Sequence, residues 1–266
     1  MIQLKLFDAH NDLLTQRKKH NFYLEKFNKE IDLIVILAIF LSEKKLNINE
    51  IINLVKDSNN KYFAIEDISS IPISDLDKLK EIKPLYCSLT WNSKNALAGG
   101  AYSKYGLTKL GIKYIKKIEE FSYVDCAHLN KKSFFKLAKV TTKPLLNSHT
   151  NLYDIFKHKR NINDKQIKTI IKSNGLICLT GVKEFLGKDS SLDTYIHSIY
   201  YFYKKYGANN LSIATDFMGS YEFPLVYYSY KDFYYVYGKL KDLGINEENL
   251  NKIFYLNALN FFKIKM

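Results

Sequence analysis

The sequence predicts an α/β fold of the (β/α)₈ barrel type, formed as a single domain over residues 1–266. Three observations lead to this prediction. Eight short apolar runs recur along the chain, amphipathic helical stretches alternate with them, and no Pro-, Gly- or Ser-rich linker divides the sequence. Alternating strands and helices favour a parallel sheet, and a barrel of this kind usually takes about 250 residues. A doubly wound open sheet is the alternative with the same alternation.

The apolar runs have the composition of buried strands in a parallel sheet. They are only a few residues long, and helical stretches separate them. The predicted strands are Leu4–Phe7, Leu33–Phe40, Tyr62–Ile65, Leu85–Leu89, Tyr123–Cys126, Pro144–Leu146, Leu176–Leu179 and Leu211–Ala214.

The stretches between the runs carry apolar residues at every third or fourth position, which is typical of helices with one buried face. In Thr108–Phe121 this spacing is regular, and Thr108 is the residue expected to cap the N-terminus. The other predicted helices are Asn49–Val55, Lys132–Val140, Asp164–Ile171, Leu192–Tyr206 and Lys231–Leu243.

The composition is that of a folded globular protein. Hydrophobic residues make up 47% of the chain and charged residues 25%, which excludes a disordered chain. The net charge of +13 raises the question of a nucleic-acid partner, but the basic residues occur in scattered pairs and triplets rather than in one block. We therefore expect a surface of solvated lysines and no nucleic-acid partner.

Cysteine usage and hydropathy indicate the compartment. Cys87, Cys126 and Cys178 are single and far apart, which is typical of reduced thiols rather than of disulfides or a zinc cluster. The first residues lack the pattern of a signal peptide, and the longest apolar run, Leu33–Leu41, is shorter than the roughly 18 residues that indicate a membrane span. A cytoplasmic protein without membrane contact is the expectation.

Polar residues with metal-binding chemistry follow the apolar runs. They are His10 and Asp12 after the first run, Glu66 after the third, His128 after the fifth, His149 after the sixth and Asp216 after the eighth. A single residue of this type at a strand end more often has a structural role than a metal-binding one. The C-terminal ends of barrel strands, however, meet on the face where active sites lie. We therefore expect the six side chains to converge. The remaining histidines, which lie among lysines or on a helix, are expected at the surface: His20, His158 and His197.

The residue types predict a site for two metal ions. Residues two apart on a strand face the same way, so His10 and Asp12 can bind one ion. His128 and His149 can bind a second ion, and Glu66 can bridge the two. Imidazole and carboxylate ligands suit Zn²⁺, with Mn²⁺ or Fe²⁺ as alternatives. Water held between two such ions is hydroxide near neutral pH and a ready nucleophile.

Short motifs occur in order along nearly the whole chain. They are Phe-Asp-Ala-His10-Asn-Asp12-Leu, Ala-Ile-Glu66-Asp, Leu-Thr90-Trp-Asn92, Gly106-Leu107-Thr108-Lys-Leu-Gly111, Val-Asp125-Cys-Ala-His128-Leu, Asn-Ser148-His149-Thr, Lys-Arg160-Asn161-Ile-Asn-Asp164, Ala-Thr-Asp216-Phe-Met-Gly219 and Asn257-Ala-Leu-Asn-Phe-Phe262. This ordered set resembles the membrane (renal) dipeptidase-like metallopeptidases of the amidohydrolase superfamily.

The resemblance implies a (β/α)₈ barrel that hydrolyses dipeptides, often with tolerance for a D-residue at the C-terminal position. It implies that His10 and Asp12 bind one zinc ion, that His128 and His149 bind the other, and that Glu66 bridges them. Members of this family are often dimers, so a homodimer is a further expectation.

The resemblance also implies roles for three further residues. Asp216 would transfer a proton from the bridging water to the leaving amine. Arg160 would bind the free carboxylate of the dipeptide, a planar anion that suits a guanidinium. Trp91 follows Thr90 where the family often carries a His that helps to stabilise the oxyanion. An indole N–H donates one hydrogen bond but carries no charge, so an apolar wall is the favoured role for Trp91.

Three functions compete. Zinc-dependent hydrolysis of dipeptides is the favoured hypothesis. Hydrolysis of another small amide by the same kind of site is an open alternative. A metal-dependent nuclease or phosphodiesterase on the same barrel would suit the net charge, but such barrels usually begin with His-x-His rather than with His10-Asn-Asp12. A non-catalytic binding protein has no physical need for the six metal-type residues.

Overall fold

The computed structural model describes residues 3–16, 31–42, 46–58, 60–219 and 224–265. Eight parallel strands close into a barrel in sequence order. The strands are β1 (Leu4–Asn11), β2 (Ile31–Phe40), β3 (Phe63–Glu66), β4 (Tyr86–Ser88), β5 (Tyr123–Asp125), β6 (Leu146–Thr150), β7 (Leu176–Leu179) and β8 (Leu211–Ile213). The predicted (β/α)₈ barrel is confirmed. The open-sheet alternative is wrong because β1 pairs with β8 through Asp8 and Ile213.

Within the residues that the structure describes, eight helices lie between strands in the sequence, and three more follow the last strand. They are α1 (Leu13–Gln16), α2 (Ile48–Asp57), α3 (Leu76–Ile82), α4 (Lys109–Ile118), α5 (Lys131–Val140), α6 (Asp164–Lys172), α7 (Lys183–Leu186), α8 (Leu192–Tyr206), α9 (Asp232–Asp242), α10 (Glu247–Asn251) and α11 (Asn257–Phe261). Two 3₁₀ turns, Ile68–Ser70 and Ile73–Asp75, and a π-helical turn, Lys252–Leu256, are also present.

The longer predicted helices are confirmed, with ends that shift by at most three residues. Helix α8 has the predicted bounds, and α4 begins directly after Thr108, whose side chain accepts a hydrogen bond from the N–H of Gly111. The sequence does not predict α1, α3, α7, α10 and α11. These helices are too short to show a helical period.

The strand bounds differ from the prediction most at β1 and β6. Strand β1 continues to Asn11, and β6 continues through His149 to Thr150. His10 and His149 therefore lie within strands rather than after them. The apolar pattern ends before each strand does because the last residues of these strands are polar and belong to the functional end of the barrel.

The barrel is filled at the N-terminal ends of its strands. The inner apolar cluster includes Phe7 and Tyr86 from the strands, and α11 with the following Phe262 packs beneath it. The ring of Phe262 stacks on that of Phe7 with centroids 5.9 Å apart. A larger apolar layer lies between the strands and the helices. A site in this barrel therefore opens at the C-terminal ends of the strands.

Two smaller predictions concern cysteines and membrane spans. Cys87, Cys126 and Cys178 are free thiols, as predicted, and all three are buried. In the described ranges, the structure has no helix that combines the length and the apolar character needed to cross a membrane.

Candidate metal centre

The six predicted metal-type side chains meet at the open end of the barrel. They are His10 in β1, Asp12 just after it, Glu66 at the end of β3, His128 in the loop after β5, His149 in β6 and Asp216 in the loop after β8. Five of them are buried, and the sixth, Asp216, has a side chain that is 14% exposed. The topology thus brings together residues that are far apart in the sequence.

One side of the centre, the acidic half, consists of His10, Asp12 and Asp216. The Nε2 atom of His10 lies 3.2 Å from Oδ2 of Asp12 and 4.0 Å from Oδ1 of Asp216. The backbone N–H of Asp12 donates to the carbonyl of Phe217 at 2.9 Å. This bond continues the pairing of β1 with β8 into the residues that follow both strands, and it keeps Asp12 beside His10.

The other side, the imidazole half, consists of His128 and His149. Their Nε2 atoms are 2.7 Å apart. Glu66 lies between the two halves. Its Oε1 is 2.8 Å from Nε2 of His128, and its Oε2 is 3.5 Å from Nε2 of His10. Each oxygen of this carboxylate therefore contacts one half, which is the arrangement that a bridging ligand needs.

Hydrogen bonds behind the imidazole rings decide which nitrogen carries the proton of a neutral histidine. The Nδ1 atom of His10 lies 2.8 Å from the hydroxyl of Tyr86. That hydroxyl donates its hydrogen to the carbonyl of Ala9 at 2.9 Å, so it accepts a hydrogen bond from Nδ1–H. The Nε2 atom of neutral His10 therefore presents a lone pair to the centre.

The same logic applies to the imidazole half. Ser148 Oγ donates to Asp125 at 2.6 Å and so accepts from Nδ1 of His149 at 2.8 Å. The side-chain oxygen of Asn92 accepts from Nδ1 of His128 at 2.9 Å. Both Nε2 lone pairs then face each other beside a carboxylate. Groups of this kind repel one another unless a cation lies among them.

The donor set therefore fits a metal ion. Imidazole nitrogen and carboxylate oxygen are ligands that zinc, manganese and iron accept. Two groups of three have ligand atoms within 4.8 Å of one another: His10 with Glu66 and His149, and His10 with Asp12 and Asp216. The Oδ1 atom of Asp12 is buried and has no hydrogen-bond partner among the described residues, as expected of a ligand atom whose partner is a metal ion.

Backbone conformation helps to aim two of these side chains. His128 has φ 65° and Asp216 has φ 55°, in the left-handed region that residues other than glycine adopt infrequently. At Gly219, a Cβ atom would lie 2.2 Å from Oδ1 of Asp216 and 3.0 Å from Oδ2 of Asp12. Glycine at this position therefore leaves the space that the two carboxylates occupy.

Burial and charge shift the pKa values in the acidic half upward. Burial raises the pKa of Asp216 to about 8, and the charge of Asp12 acts in the same direction. Burial lowers the pKa of His10, but the charge of Asp12 and the hydrogen bonds to Asp12 and Glu66 outweigh burial and hold this pKa well above its usual value.

The pKa values in the imidazole half are shifted downward. Burial lowers the pKa of His128 to about 4, with the charge of Arg160 acting in the same direction. Burial and the neighbouring charges of His10, His128 and Arg160 lower the pKa of His149 well below its usual range. Both rings are therefore neutral near pH 7 and ready to act as ligands.

Arg160 lies beside the imidazole half. Its Nη2 atom is 3.1 Å from Nε2 of His128 and donates to the carbonyl of His149 at 3.3 Å. Its Nε atom is buried and has no partner in the part of the chain that the structure describes. Arg160 and five of the six metal-type residues, all except His10, line one cavity with about 530 Å³ of empty space, its open mouth included. Such a cavity suits a small-molecule ligand.

A protein-family model described as "Membrane dipeptidase (Peptidase family M19)" matches residues 46–265. The chain belongs to this family. The resemblance inferred from the ordered motifs is thereby confirmed. The match includes Glu66, His128, His149, Arg160 and Asp216, whereas His10 in β1 and Asp12 just after it precede the matched residues.

Solved structures share the fold of this membrane dipeptidase family member. A dipeptidase of metallopeptidase family M19 aligns with a TM-score of 0.85 at 15% identity and covers 98% of each chain. A metallopeptidase from Rhodobacter sphaeroides, solved with a phosphinate mimic of the dipeptide L-Ala-D-Ala, aligns with a TM-score of 0.83 at 14% identity and covers 98% of this chain and 99% of its own. At these identities the likeness shows the barrel fold.

A curated relative matches a shorter part of the chain. An uncharacterized protein in the pqqA 5′ region of Klebsiella pneumoniae is 28% identical over an alignment of 144 residues that covers 48% of this chain and 53% of its own length. The chain spans about half the length of the curated relatives that it matches.

One prediction about histidines is wrong for this family member. His158, expected at the surface, has a side chain only 12% exposed, and its Nε2 lies 3.2 Å from Glu184. The ring of His158 packs on Phe185 and contacts Glu184, so the basic sequence around His158 does not indicate exposure. His197 is exposed, as predicted. His20 lies outside the described residues.

Trp91 lines the cavity and is partly exposed. Its ring centroid lies 5.4 Å from that of Phe40 and 6.1 Å from that of His128. Its indole N–H makes no hydrogen bond to any described residue. These contacts agree with an apolar wall.

Sequence reasoning assigns no role to the residues that orient the imidazoles. Asp125, Ser148 and Asn92 stand in the motifs that carry the resemblance, so a signal for them was present. Tyr86 lies inside a predicted strand and has no such signal. Only the closure of the barrel shows that its hydroxyl reaches His10.

Proposed function

We propose that this protein is a metal-dependent dipeptidase that uses two Zn²⁺ ions, with Mn²⁺ or Fe²⁺ as alternatives. The convergence of three imidazole Nε2 atoms and three carboxylates at the open end of the barrel carries the proposal. The phosphinate dipeptide mimic bound by the Rhodobacter sphaeroides structure supports a dipeptide as the substrate class. We also propose that one barrel domain carries the activity, while the homodimer stays a prediction.

In this proposal, His10 and Asp12 hold one ion, His128 and His149 hold the other, and Glu66 bridges them. The contacts of the two Glu66 oxygens with opposite halves support this division. When bound, the ions would polarise the scissile carbonyl and lower the pKa of water to near neutrality. The hydrogen bonds that the three Nδ1–H groups donate hold the rings so that each Nε2 atom faces the centre.

Asp216 is the proposed proton carrier. Its raised pKa, about 8, allows the carboxyl group both to accept and to release a proton near neutral pH. In the proposed reaction, it accepts the proton of the attacking water at a carboxylate oxygen and passes that proton to the nitrogen of the leaving amine. Asp216 lines the cavity, which supports access to the substrate.

Arg160 is the proposed ligand for the free carboxylate of the dipeptide. Its buried Nε has no partner among the described residues, so it has a hydrogen-bond donor to offer. A guanidinium binds a carboxylate with two parallel hydrogen bonds. Trp91 is proposed as an apolar wall of the same cavity.

The test is release of free amino acids from a panel of L-L and L-D dipeptides. Zinc-loaded and chelator-stripped protein are assayed side by side, with the variant Glu66→Gln as the inactive control. We expect release that depends on metal and is lost in the variant. No release by folded, zinc-loaded protein from any dipeptide, or undiminished release after complete stripping, would overturn the proposal.

A further inference from the structure

A second polar cluster lies in the wall of the same cavity, apart from the metal-type residues. It consists of Tyr102, His158 and Glu184, of which Tyr102 and Glu184 line the cavity. The Nε2 atom of His158 is 3.2 Å from Oε1 of Glu184 and 3.2 Å from the hydroxyl of Tyr102. The Tyr102 hydroxyl donates to the same Oε1 at 3.4 Å. The proposed dipeptidase reaction uses none of these groups.

The hydrogen bonds of His158 show that this ring donates to Glu184. The backbone N–H of Arg160 donates to Nδ1 of His158 at 3.3 Å, so Nε2 carries the hydrogen of the neutral ring. Burial lowers the pKa of His158, and although Glu184 opposes this, the charges of Arg160 and Lys159 add to it. His158 is therefore neutral near pH 7 and forms no ion pair with Glu184.

The carboxylate of Glu184 keeps one oxygen for a ligand. Both of its hydrogen bonds end on Oε1, and Oε2 accepts none from the described residues. No lysine or arginine nitrogen of those residues lies within 4.0 Å of it, and the ammonium of Lys159 packs over the ring of Tyr102 instead, 5.1 Å from its centroid. The side chain of Glu184 is 34% exposed, so a ligand can reach it.

Phe185 connects this cluster to Arg160. The Phe185 ring centroid lies 5.2 Å from the guanidinium carbon of Arg160, and the ring of His158 stacks on Phe185 with centroids 5.1 Å apart. A dipeptide held by Arg160 through its carboxylate has its C-terminal side chain on the carbon next to that carboxylate. That side chain therefore starts beside Arg160, within the same wall as Glu184.

We propose that Glu184 selects dipeptides whose C-terminal residue has a cationic side chain, as lysine and arginine do. This inference rests on the proposed dipeptidase function. The ammonium or guanidinium would bind to Oε2, while His158 and Tyr102 hold Oε1 in place. Selectivity of this kind requires a fixed carboxylate, and the two hydrogen bonds to Oε1 supply that fixation.

The experiment compares two matched C-terminal residues, lysine and norleucine, which differ in the terminal ammonium. Hydrolysis of Ala-Lys and Ala-norleucine, with L and D C-terminal residues, gives a ratio of kcat/KM. Calorimetric binding of the corresponding phosphinate analogues to zinc-loaded protein gives a ratio of Kd without turnover. Both ratios are measured for the wild type, for Glu184→Gln, and for Asp189→Asn, which removes an exposed carboxylate that does not line the cavity.

We expect the wild type and Asp189→Asn to prefer the lysine ligands about tenfold, since a charged hydrogen bond at a partly exposed site lies at the weak end of its range. In Glu184→Gln both ratios should fall to about one. Equal use of the lysine and norleucine ligands by the wild type, or a preference that survives in Glu184→Gln, would overturn the inference. A Glu184-dependent preference for Lys-Ala over norleucine-Ala, with none at the C-terminal position, would also overturn it.

The two readouts separate this inference from the proposed function. Hydrolysis of both dipeptides without preference overturns the role of Glu184 and leaves the dipeptidase standing. Selective binding of the lysine phosphinate without hydrolysis of any dipeptide supports Glu184 and contradicts the dipeptidase. Failure of both binding and hydrolysis overturns both.

Discussion

The two halves of the metal centre present the same ring in opposite electrostatic surroundings. In the acidic half, His10 faces Asp12, and its pKa lies well above its usual value in spite of burial. In the imidazole half, His128 lies beside Arg160, and burial with this cation lowers its pKa to about 4. All three rings point Nε2 toward the centre, so the difference comes from the neighbouring charges rather than from the orientation of the rings.

The imidazole half is therefore ready to bind a cation, whereas the acidic half holds its carboxylates beside a histidine whose pKa is raised. In the metal-free protein, His10 binds a proton near neutral pH, whereas His128 and His149 are already neutral. A metal ion has to displace a proton only in the acidic half. Glu66 contacts both halves and is the residue through which they act together.

The largest expected effect comes from Glu66→Gln, which breaks the connection between the halves. We expect kcat for dipeptide hydrolysis to fall by about 10³-fold or more, because the groups of such a site act as a unit. The control is Glu81→Gln, at an exposed position of α3, which should keep wild-type kcat. More than about a tenth of the wild-type kcat in zinc-loaded Glu66→Gln would exclude the bridging role.

The variant Gly219→Ala disturbs the acidic half alone. The added Cβ would lie 2.2 Å from Oδ1 of Asp216, so this carboxylate has to move. A displacement of about 1 Å costs roughly 10²-fold in rate, and we expect a loss of that size in kcat. Gly238→Ala is the matched control, since a Cβ there meets nothing within 4 Å. Full activity in Gly219→Ala would mean that the position of Asp216 is not critical.

The variant Arg160→Ala probes the imidazole half from the substrate side. We expect KM for a free dipeptide to rise about 30-fold, because a charged hydrogen-bond partner of the carboxylate is lost. KM for the C-terminally amidated dipeptide should change much less. Steady-state kinetics on both substrates, with the exposed Lys157→Ala as the control, measures the difference. Equal losses on the two substrates would argue against the carboxylate role.

The smallest expected effect is the pH dependence of the stability of the metal-free protein. The folded-state pKa of His128, about 4, lies below the usual value of about 6.5 for an unfolded chain. Below pH 6.5 the unfolded chain therefore binds a proton that the native protein does not bind. The contribution of neutral His128 to the free energy of unfolding is therefore complete above pH 6.5 and is lost as the pH falls toward 4. His149 acts in the same direction, and His10, with its raised pKa, acts in the opposite one.

The contribution of His128 appears in a comparison of variants. Urea unfolding at pH 7.5, 6.5 and 5.5 gives the free energy of unfolding of the metal-free wild type, of His128→Gln and of the exposed His197→Gln. Between pH 6.5 and 5.5, the wild type should lose about 1 kcal/mol more than His128→Gln does, and His197→Gln should follow the wild type. The same pH slope in all three proteins would show that His128 is not held neutral by the fold.

Local patterns were enough to predict the barrel and the six metal-type residues. Strand and helix periods are visible in short windows, and Thr108 caps its helix as its sequence position indicates. The polar residues near the strand ends stand out because they interrupt apolar runs. Parallel barrels bring such residues together whatever their separation in sequence. The metal centre could therefore be predicted once the fold class was predicted.

The missing parts depend on contacts between distant segments. The bond from Tyr86 to His10 requires knowledge of which strand residues face the barrel interior. The burial of His158 arises where its loop meets Glu184, and nothing in the neighbouring lysines signals it. The left-handed backbone conformation of His128 also cannot be predicted from the sequence, because a histidine does not require that conformation.

The most direct test of the metal centre is the number of metal ions that the purified protein binds. Metal-free protein is incubated with excess zinc, freed of unbound ions by gel filtration, and analysed for metal and protein content. Three inward-facing Nε2 lone pairs with three carboxylates predict two zinc ions per chain, and fewer in Glu66→Gln. A folded wild-type chain that retains no zinc, manganese or iron would contradict the account.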